Sequence, residues 1–241
     1  MANDHFFYIP PENISHNSFS LDEVESHHAS HVLRMNAGEK IWLLDGSGIA
    51  YTGRIERKKP RVSGTIDDII PNFAEPDVEM HLAVGLLKKD RFELLLEKAV
   101  ECGASSITPL LLDRCVKKSL NMERSRKIVT AAAKQCGRSR FPILHKPMGP
   151  DNWLKLNSKS AICLNIGSEN KLVDWNCQNH PDRIHIIIGP EGDFSDKEKR
   201  LMEGYKIPFL SMGLRRLRAE TAAITALNII EHSTSGLVAG G

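Results

Sequence analysis

Two rhythms of apolar and polar positions divide the chain near residue 73. In the first part the pattern predicts short strands over residues 40–45, 49–55 and 61–70, the first two joined by a Gly46-Ser47-Gly48 turn. Before them Leu21, Val24, His28, Val32 and Met35 recur at helical spacing, and Gly38 ends the run. Ser20-Leu21-Asp22-Glu23 reads as a capping box opening that helix, with the Ser20 hydroxyl accepting from the Glu23 amide. Short strands joined by glycine turns indicate a small barrel or curled sheet. Residues 71–76 set two prolines among polar neighbours and read as a linker. From Glu79 onward strands alternate with helices. Strands are predicted around Met80, Leu82, Val84 and Leu86, then over residues 107–112, 161–166, 184–188 and 207–211. Helices are predicted over 91–102 up to Gly103, 121–136 up to Gly137, from the Ser195-Asp196-Lys197-Glu198 capping box to Gly204, and over 219–232. This alternation implies a mainly parallel sheet covered on both faces. The expected domains are therefore residues 1–73 and 74–241, and the tail at 236–241 is expected to fray.

Composition narrows the class. With 241 residues, 41% hydrophobic and 26% charged, the chain is an ordinary globular one or two domains, not collagen-like, fibrous or disordered. No apolar run is long enough for a membrane span. Met1-Ala2-Asn3-Asp4-His5 lacks the features of a secretory signal, and the five cysteines are odd in number without a Cys-x-x-Cys pair. A reducing cytoplasm without disulfides or a metal cage is the expectation. The net charge of +2 conceals an asymmetry: residues 1–73 hold 7 basic and 10 acidic side chains, whereas residues 114–146 hold 10 basic ones against Glu123 alone. A block so one-sided suits a polyanion, and nucleic acid is favoured over a merely solvated helix face. Charge does not choose RNA over DNA.

In an open parallel sheet, ligands bind outside the carboxyl ends of the strands. Three loops there stand out. Ile186-Ile187-Ile188-Gly189-Pro190-Glu191-Gly192-Asp193 runs from an apolar strand into glycines that permit positive φ and close ligand approach. Leu210-Ser211-Met212-Gly213 continues into Arg215, Arg216 and Arg218 and the helix start Ala219-Glu220-Thr221, where arginines can grip phosphate. Leu164-Asn165-Ile166-Gly167 repeats the arrangement more weakly. Each also fits a tight turn without ligand, and Glu220 also fits a structural helix-start charge. No Gly-x-Gly-x-x-Gly, Walker lysine loop or nucleophile elbow is present. His27, His28 and His31 lack a fourth metal ligand, and Trp42, Trp153 and Trp175 read as core.

These residues carry a resemblance. Ile188-Gly189-Pro190-Glu191-Gly192, Leu217-Arg218-Ala219-Glu220-Thr221-Ala222, Ala131 to Arg138 and Lys98 to Gly103 stand in the order and spacing of the RsmE family. Phe6-Phe7 and His28-x-x-x-Val32-Leu33-Arg34 fit its opening. That family comprises small-subunit (16S) rRNA uridine-N3 methyltransferases of the SPOUT superfamily. The resemblance implies an N-terminal PUA-like β-barrel, a C-terminal α/β domain with a trefoil knot, S-adenosylmethionine as cofactor and a homodimer acting on rRNA or the assembled subunit. It implies cofactor contacts from Leu164, Gly167, Ile188, Gly189, Glu191, Gly192, Ser211, Met212, Gly213 and Leu217. RNA contacts would come from Arg34, Arg114, Lys134, Gln135, Arg138 and Arg140. Glu220, or a water it holds, would take the N3 proton while Arg218 stabilises charge on the uracil oxygens. Asp193 stands where the family usually has a second glycine, which implies a modified loop. The rivals are a non-catalytic RNA-binding assembly protein and a related methyltransferase acting on tRNA.

Overall fold

A computed structural model describes residues 5–235, with side chains to 232, so the 236–241 tail lies outside the described residues. The chain falls into two units: Met1–Glu75 with Ala133–Phe141, and Pro76–Ala132 with Pro142–Gly241.

The first unit is built on the alternating strands. These are β1 (Phe6–Tyr8), β2 (Ile14–Ser15), β3 (Ser18–Ser20), β4 (Lys40–Leu44), β5 (Ile49–Arg57) and β6 (Ser63–Pro71). They form one sheet in the order β1-β4-β5-β6-β3-β2, parallel only between β1 and β4. Phe7, Phe19, Leu21, Ile41, Leu43 and Ile55 bury the inward face of the alternation. The turn before β5 is fixed by Asp45, whose carboxylate accepts from the amides of Ser47 (2.8 Å), Gly48 (3.1 Å) and Ile49 (2.9 Å).

Three expectations for this part are corrected. Ser20 lies in β3, and the cap is Asp22, whose carboxylate accepts from the Glu25 amide at 2.8 Å. The long helix is a short α1 (Glu23–His27) followed by a π turn, His28–Val32, so Val24 and Val32 fall outside the stripe and stand 76% and 60% exposed. The stretch 71–76 is no free linker. The Phe73 carbonyl accepts from the Ser139 amide and hydroxyl, and Glu75 accepts from the Arg140 amide at 2.7 Å.

The second unit alternates strands and helices. In order these are β7 (Glu79–Gly85), α2 (Lys89–Glu101), β8 (Ala104–Leu110), α3 (Met122–Cys136), β9 (Ile143–Leu144) and α4 (Pro150–Asn157). Then come β10 (Ala161–Leu164), α5 (Leu172–Asn179), β11 (Arg183–Ile188), α6 (Asp196–Gly204), β12 (Phe209–Leu210) and α7 (Ala219–Ser235). The last turn of α3 counts with the first unit. All strand pairs are parallel, in the order β12-β10-β11-β7-β8-β9. Ile184, Ile186, Ile187 and Ile188 of β11 are buried, as a central parallel strand covered on both faces requires. The capping box at α6 forms as expected, Ser195 and Glu198 each accepting from the other's amide. Two helices escaped the pattern. α4 opens on Gly149-Pro150, a start without an acceptor side chain, and α5 ends on His180 at φ +39° where a glycine was the signal sought.

β12 pairs with β10, not with its sequence neighbour β11. The segments after β10 and β12 meet as a consequence: Ser211 accepts from the Leu172 amide (2.9 Å) and donates its own amide to Asn170 (2.8 Å). This return places the loops after β10, β11 and β12 around one opening at the carboxyl edge of the sheet.

Candidate active site

That opening is a cavity of about 620 Å³. Its wall takes Leu164, Asn165 and Ile166 after β10, residues 188–193 after β11, Leu210, Met212 and Gly213 after β12, and residues 215–219 with Ala222 at the start of α7. Arg91 of α2 and Arg114 beyond β8 complete it. The close approach of the β11 loop to the sheet requires Gly85: a Cβ there would sit 2.7 Å from the Pro190 nitrogen and 2.8 Å from its Cδ. Positive φ was expected at Gly189 and Gly192, yet the left-handed positions are Asp193 (φ +63°) and Gly213 (φ +114°). The turn at 190–193 closes by the Asp193 amide donating to the Pro190 carbonyl at 2.9 Å.

Hydrogen bonds tie this loop to the one after β8. Arg114 Nη1 donates to the Gly192 carbonyl (2.8 Å), the Asp113 amide to Glu198 (2.8 Å), and the Ser195 hydroxyl to Asp113 (2.7 Å). Burial pushes the Asp193 carboxyl up, but the Lys199 ammonium at 2.9 Å, the Phe194 amide and Arg114 outweigh it and hold the carboxyl below its ordinary value. Arg91 Nη1 donates to Glu191 Oε1 at 3.3 Å, and its Nε lies 4.0 Å from Glu220 Oε1. Arg216 Nη2 donates to the Glu191 carbonyl at 3.2 Å. The cavity thus pairs an apolar floor of Leu164, Ile188 and Leu217 with exposed arginines at 215, 216 and 218.

Of the residues expected to hold a cofactor, Leu164, Ile188, Gly189, Glu191, Gly192, Met212, Gly213 and Leu217 reach the wall. Gly167 and Ser211 do not: Gly167 lies in the exposed turn beyond Ile166, and Ser211 is buried against Asn170 and Leu172. Arg218 is on the wall, whereas Glu220 is off it, with a side chain only 7% exposed and directed at Arg91. Arg91 was missed. The loop leaving β7 obeys the same carboxyl-end rule as the other three but carries no glycine to draw attention.

The basic segment is less available than its charge suggests. Arg138 is 3% exposed and paired with Glu75 at 2.7 Å, and Lys134 is paired with the buried Glu25. Both act within the first unit's packing and are not open phosphate contacts. Arg124 grips Glu93 through two bonds of 2.6 and 2.8 Å, and Lys127 pairs with Glu123 at 2.7 Å. Arg34, Arg114, Gln135 and Arg140 have exposed or half-exposed side chains. Arg140 Nη2 donates to Asn72 at 3.1 Å.

Comparison with known proteins agrees with this architecture. A family model described as an RNA methyltransferase domain matches residues 74–231, and one described as an RNA methyltransferase PUA domain matches residues 21–67. The chain belongs to this family of RNA methyltransferases, a PUA domain followed by an α/β domain with a parallel sheet. Within it the chain is a member of the RsmE family. The ribosomal RNA small subunit methyltransferase E of Rickettsia conorii is 30% identical over 83% of this chain and 84% of its own length. A Legionella pneumophila methyltransferase solved with bound SAM is 33% identical with a TM-score of 0.84, covering 96% of this chain and 98% of its own. The Neisseria gonorrhoeae ribosomal RNA small subunit methyltransferase E, bound to S-adenosyl methionine, is 27% identical with a TM-score of 0.86, covering 95% of this chain and 98% of its own. Among the described residues, no helix is long and apolar enough to cross a membrane.

Proposed function

We propose that this chain transfers a methyl group from S-adenosylmethionine to N3 of one uridine in small-subunit ribosomal RNA, working as a cytoplasmic homodimer on rRNA or the assembled subunit. The observation that carries the reading is the convergence of the three strand-end loops on a single cavity of about 620 Å³, within the range of nucleotide-sized ligands. The residues present fit the group: apolar side chains and backbone suit an adenosine, and Glu191 and Asp193 suit a positive charge. When bound, S-adenosylmethionine supplies an electrophilic methyl carbon on a sulfonium.

The chain's part is to bind, align and handle charge. Loops 188–193 and 212–217 would hold the nucleoside through backbone groups, with Leu164, Ile188 and Leu217 excluding water. The exposed arginines at 215, 216 and 218 would receive the phosphates and base of a uridine turned out of its stack. Arg34, Arg114, Gln135 and Arg140 would extend that contact along the RNA. Residues 1–73 would form a PUA-like barrel that helps hold RNA and 74–241 the methyltransferase domain, its last third threaded as a trefoil knot. The return of β12 to β10 and the meeting of Ser211 with Asn170 and Leu172 support that threading.

The test is to incubate the full chain with labelled S-adenosylmethionine and unmodified small-subunit rRNA. One uridine should carry the label at N3 and stop reverse transcription there, because N3 methylation blocks pairing. Label on a ribose, or no saturable cofactor binding, overturns the reading.

A further inference from the structure

Glu220 presents a puzzle that the reaction as described does not resolve. Its carboxylate is buried at the start of α7, off the cavity wall, and Oε2 has no hydrogen-bond partner. A buried anion so placed is costly unless a cation compensates it. The cation facing it is Arg91, and Arg91 does line the cavity. The same guanidinium donates to Glu191 of the β11 loop. One arginine therefore ties α2, the β11 loop and α7 together, held between two carboxylates, with further N–H donors in its planar fork.

We propose that Arg91 is a catalytic residue whose guanidinium, fixed between Glu191 and Glu220 on the cavity wall, hydrogen-bonds the uracil oxygen that gathers negative charge as N3 is methylated, and that Glu220 is its positioning residue. The proposal rests on the uridine-N3 reading above. In the step, N3 forms a bond to the methyl carbon, the sulfur–methyl bond breaks with its electron pair left on sulfur, and the N3 proton passes to water. Loss of that proton spreads charge onto the flanking carbonyl oxygens. A donor already oriented there lowers the barrier without reorganising. Glu220 then needs no access to substrate, which its burial denies it, and its role as proton acceptor is withdrawn.

The experiment compares the full chain with Arg91→Gln, Arg91→Lys and Glu220→Gln. Single-turnover methylation of rRNA is followed across a pH series, S-adenosylmethionine affinity is measured by calorimetry, and the methylated atom is located in the wild type. Arg91→Gln should slow methylation about 100-fold near neutral pH, the scale of one lost oxyanion donor. The deficit should shrink as pH rises and on RNA carrying 5-fluorouridine, whose N3–H is more acidic. Cofactor affinity should stay within about threefold, since the lost contact is to the base. Arg91→Lys should recover part of the rate, and Glu220→Gln should show a smaller deficit of the same pH form. A deficit equal at every pH, or one accompanied by tenfold weaker cofactor binding, overturns the proposal while leaving uridine-N3 methylation intact. A wild-type methyl found elsewhere than N3 overturns both.

Discussion

At their carboxyl ends β10, β11 and β12 release the chain into loops of glycine, arginine and acid side chains around an open cavity. Near the amino ends of β7 and β11 the same sheet is closed. His81 and His185, paired in register, stack with ring centroids 4.5 Å apart. Ser106 and Ser160 bond their Nδ1 atoms at 2.8 and 2.9 Å, and Trp153 packs edge-on against His185 at 5.7 Å. Both ends are rich in polar side chains. At the closed end each ring has a neutral partner and an aromatic neighbour, whereas at the open end the charges converge on space. Polar residues alone therefore do not mark a site. A site needs backbone approach that keeps the space open.

The strongest way to break that contrast is to fill the approach. Gly85→Ala puts a Cβ against the Pro190 backbone, which cannot swing aside as a long side chain would. We expect a stability loss of roughly 1–3 kcal/mol from overpacking. Cofactor affinity should fall at least tenfold, because the displaced loop carries residues 188–193 of the cavity wall. Calorimetric titration with S-adenosylmethionine and thermal unfolding check the two effects. Unchanged affinity would mean that the β11 loop is not the cradle.

A smaller effect sharpens the comparison from the closed end. Burial, then the charges of His81 and Arg183, push His185 down to about 4, against the opposing pull of Glu79. Burial also lowers His81, opposed by Glu79 and helped by Arg183 and His145. Both rings are thus neutral in the fold but take up protons on unfolding below about pH 6.5. Their stabilising contribution is complete above that pH and is lost as pH falls toward 4. Replacing His185 with Phe should flatten this acid limb by on the order of 2 kcal/mol, read as the melting temperature across the pH series. An unaltered limb would place the acid sensitivity elsewhere.

Much of this contrast was legible in the sequence, and unevenly so. β11 and the α6 capping box announce themselves because an unbroken apolar run and a reciprocal Ser195–Glu198 pair each leave few alternatives. Glycine loops marked the cavity for the same reason. What stayed hidden depended on partners distant in sequence. Nothing near Arg138 indicates that Glu75 neutralises it, so a local count of charge overstated the basic segment. Arg91 and Glu220 are 129 positions apart, and only the fold makes one the counter-charge of the other. The π turn at His28–Val32 likewise shifts the register after α1, a change that spacing alone does not encode.

The smallest expected effect concerns the residue that departs from the family pattern. Asp193 holds a left-handed φ of +63°, which costs a non-glycine residue roughly 1 kcal/mol. Against this stands its pair with Lys199, whose side chains are 43% and 32% exposed and which is therefore worth about 0–1 kcal/mol. Asp193→Gly removes both, and stability should change by less than about 1 kcal/mol in either direction. The pH dependence separates the two contributions. The carboxyl is held below its ordinary value in the fold, so its contribution is present above the usual carboxylate range and lost as pH falls through its lowered value. The glycine variant should lose that acid-limb contribution while gaining at every pH from the relaxed backbone. Its cofactor affinity should weaken a fewfold at low salt, and the difference should shrink at high salt, because one negative charge has left the wall facing a cationic ligand. An affinity difference indifferent to salt would assign Asp193 to the shape of the turn and not to its charge.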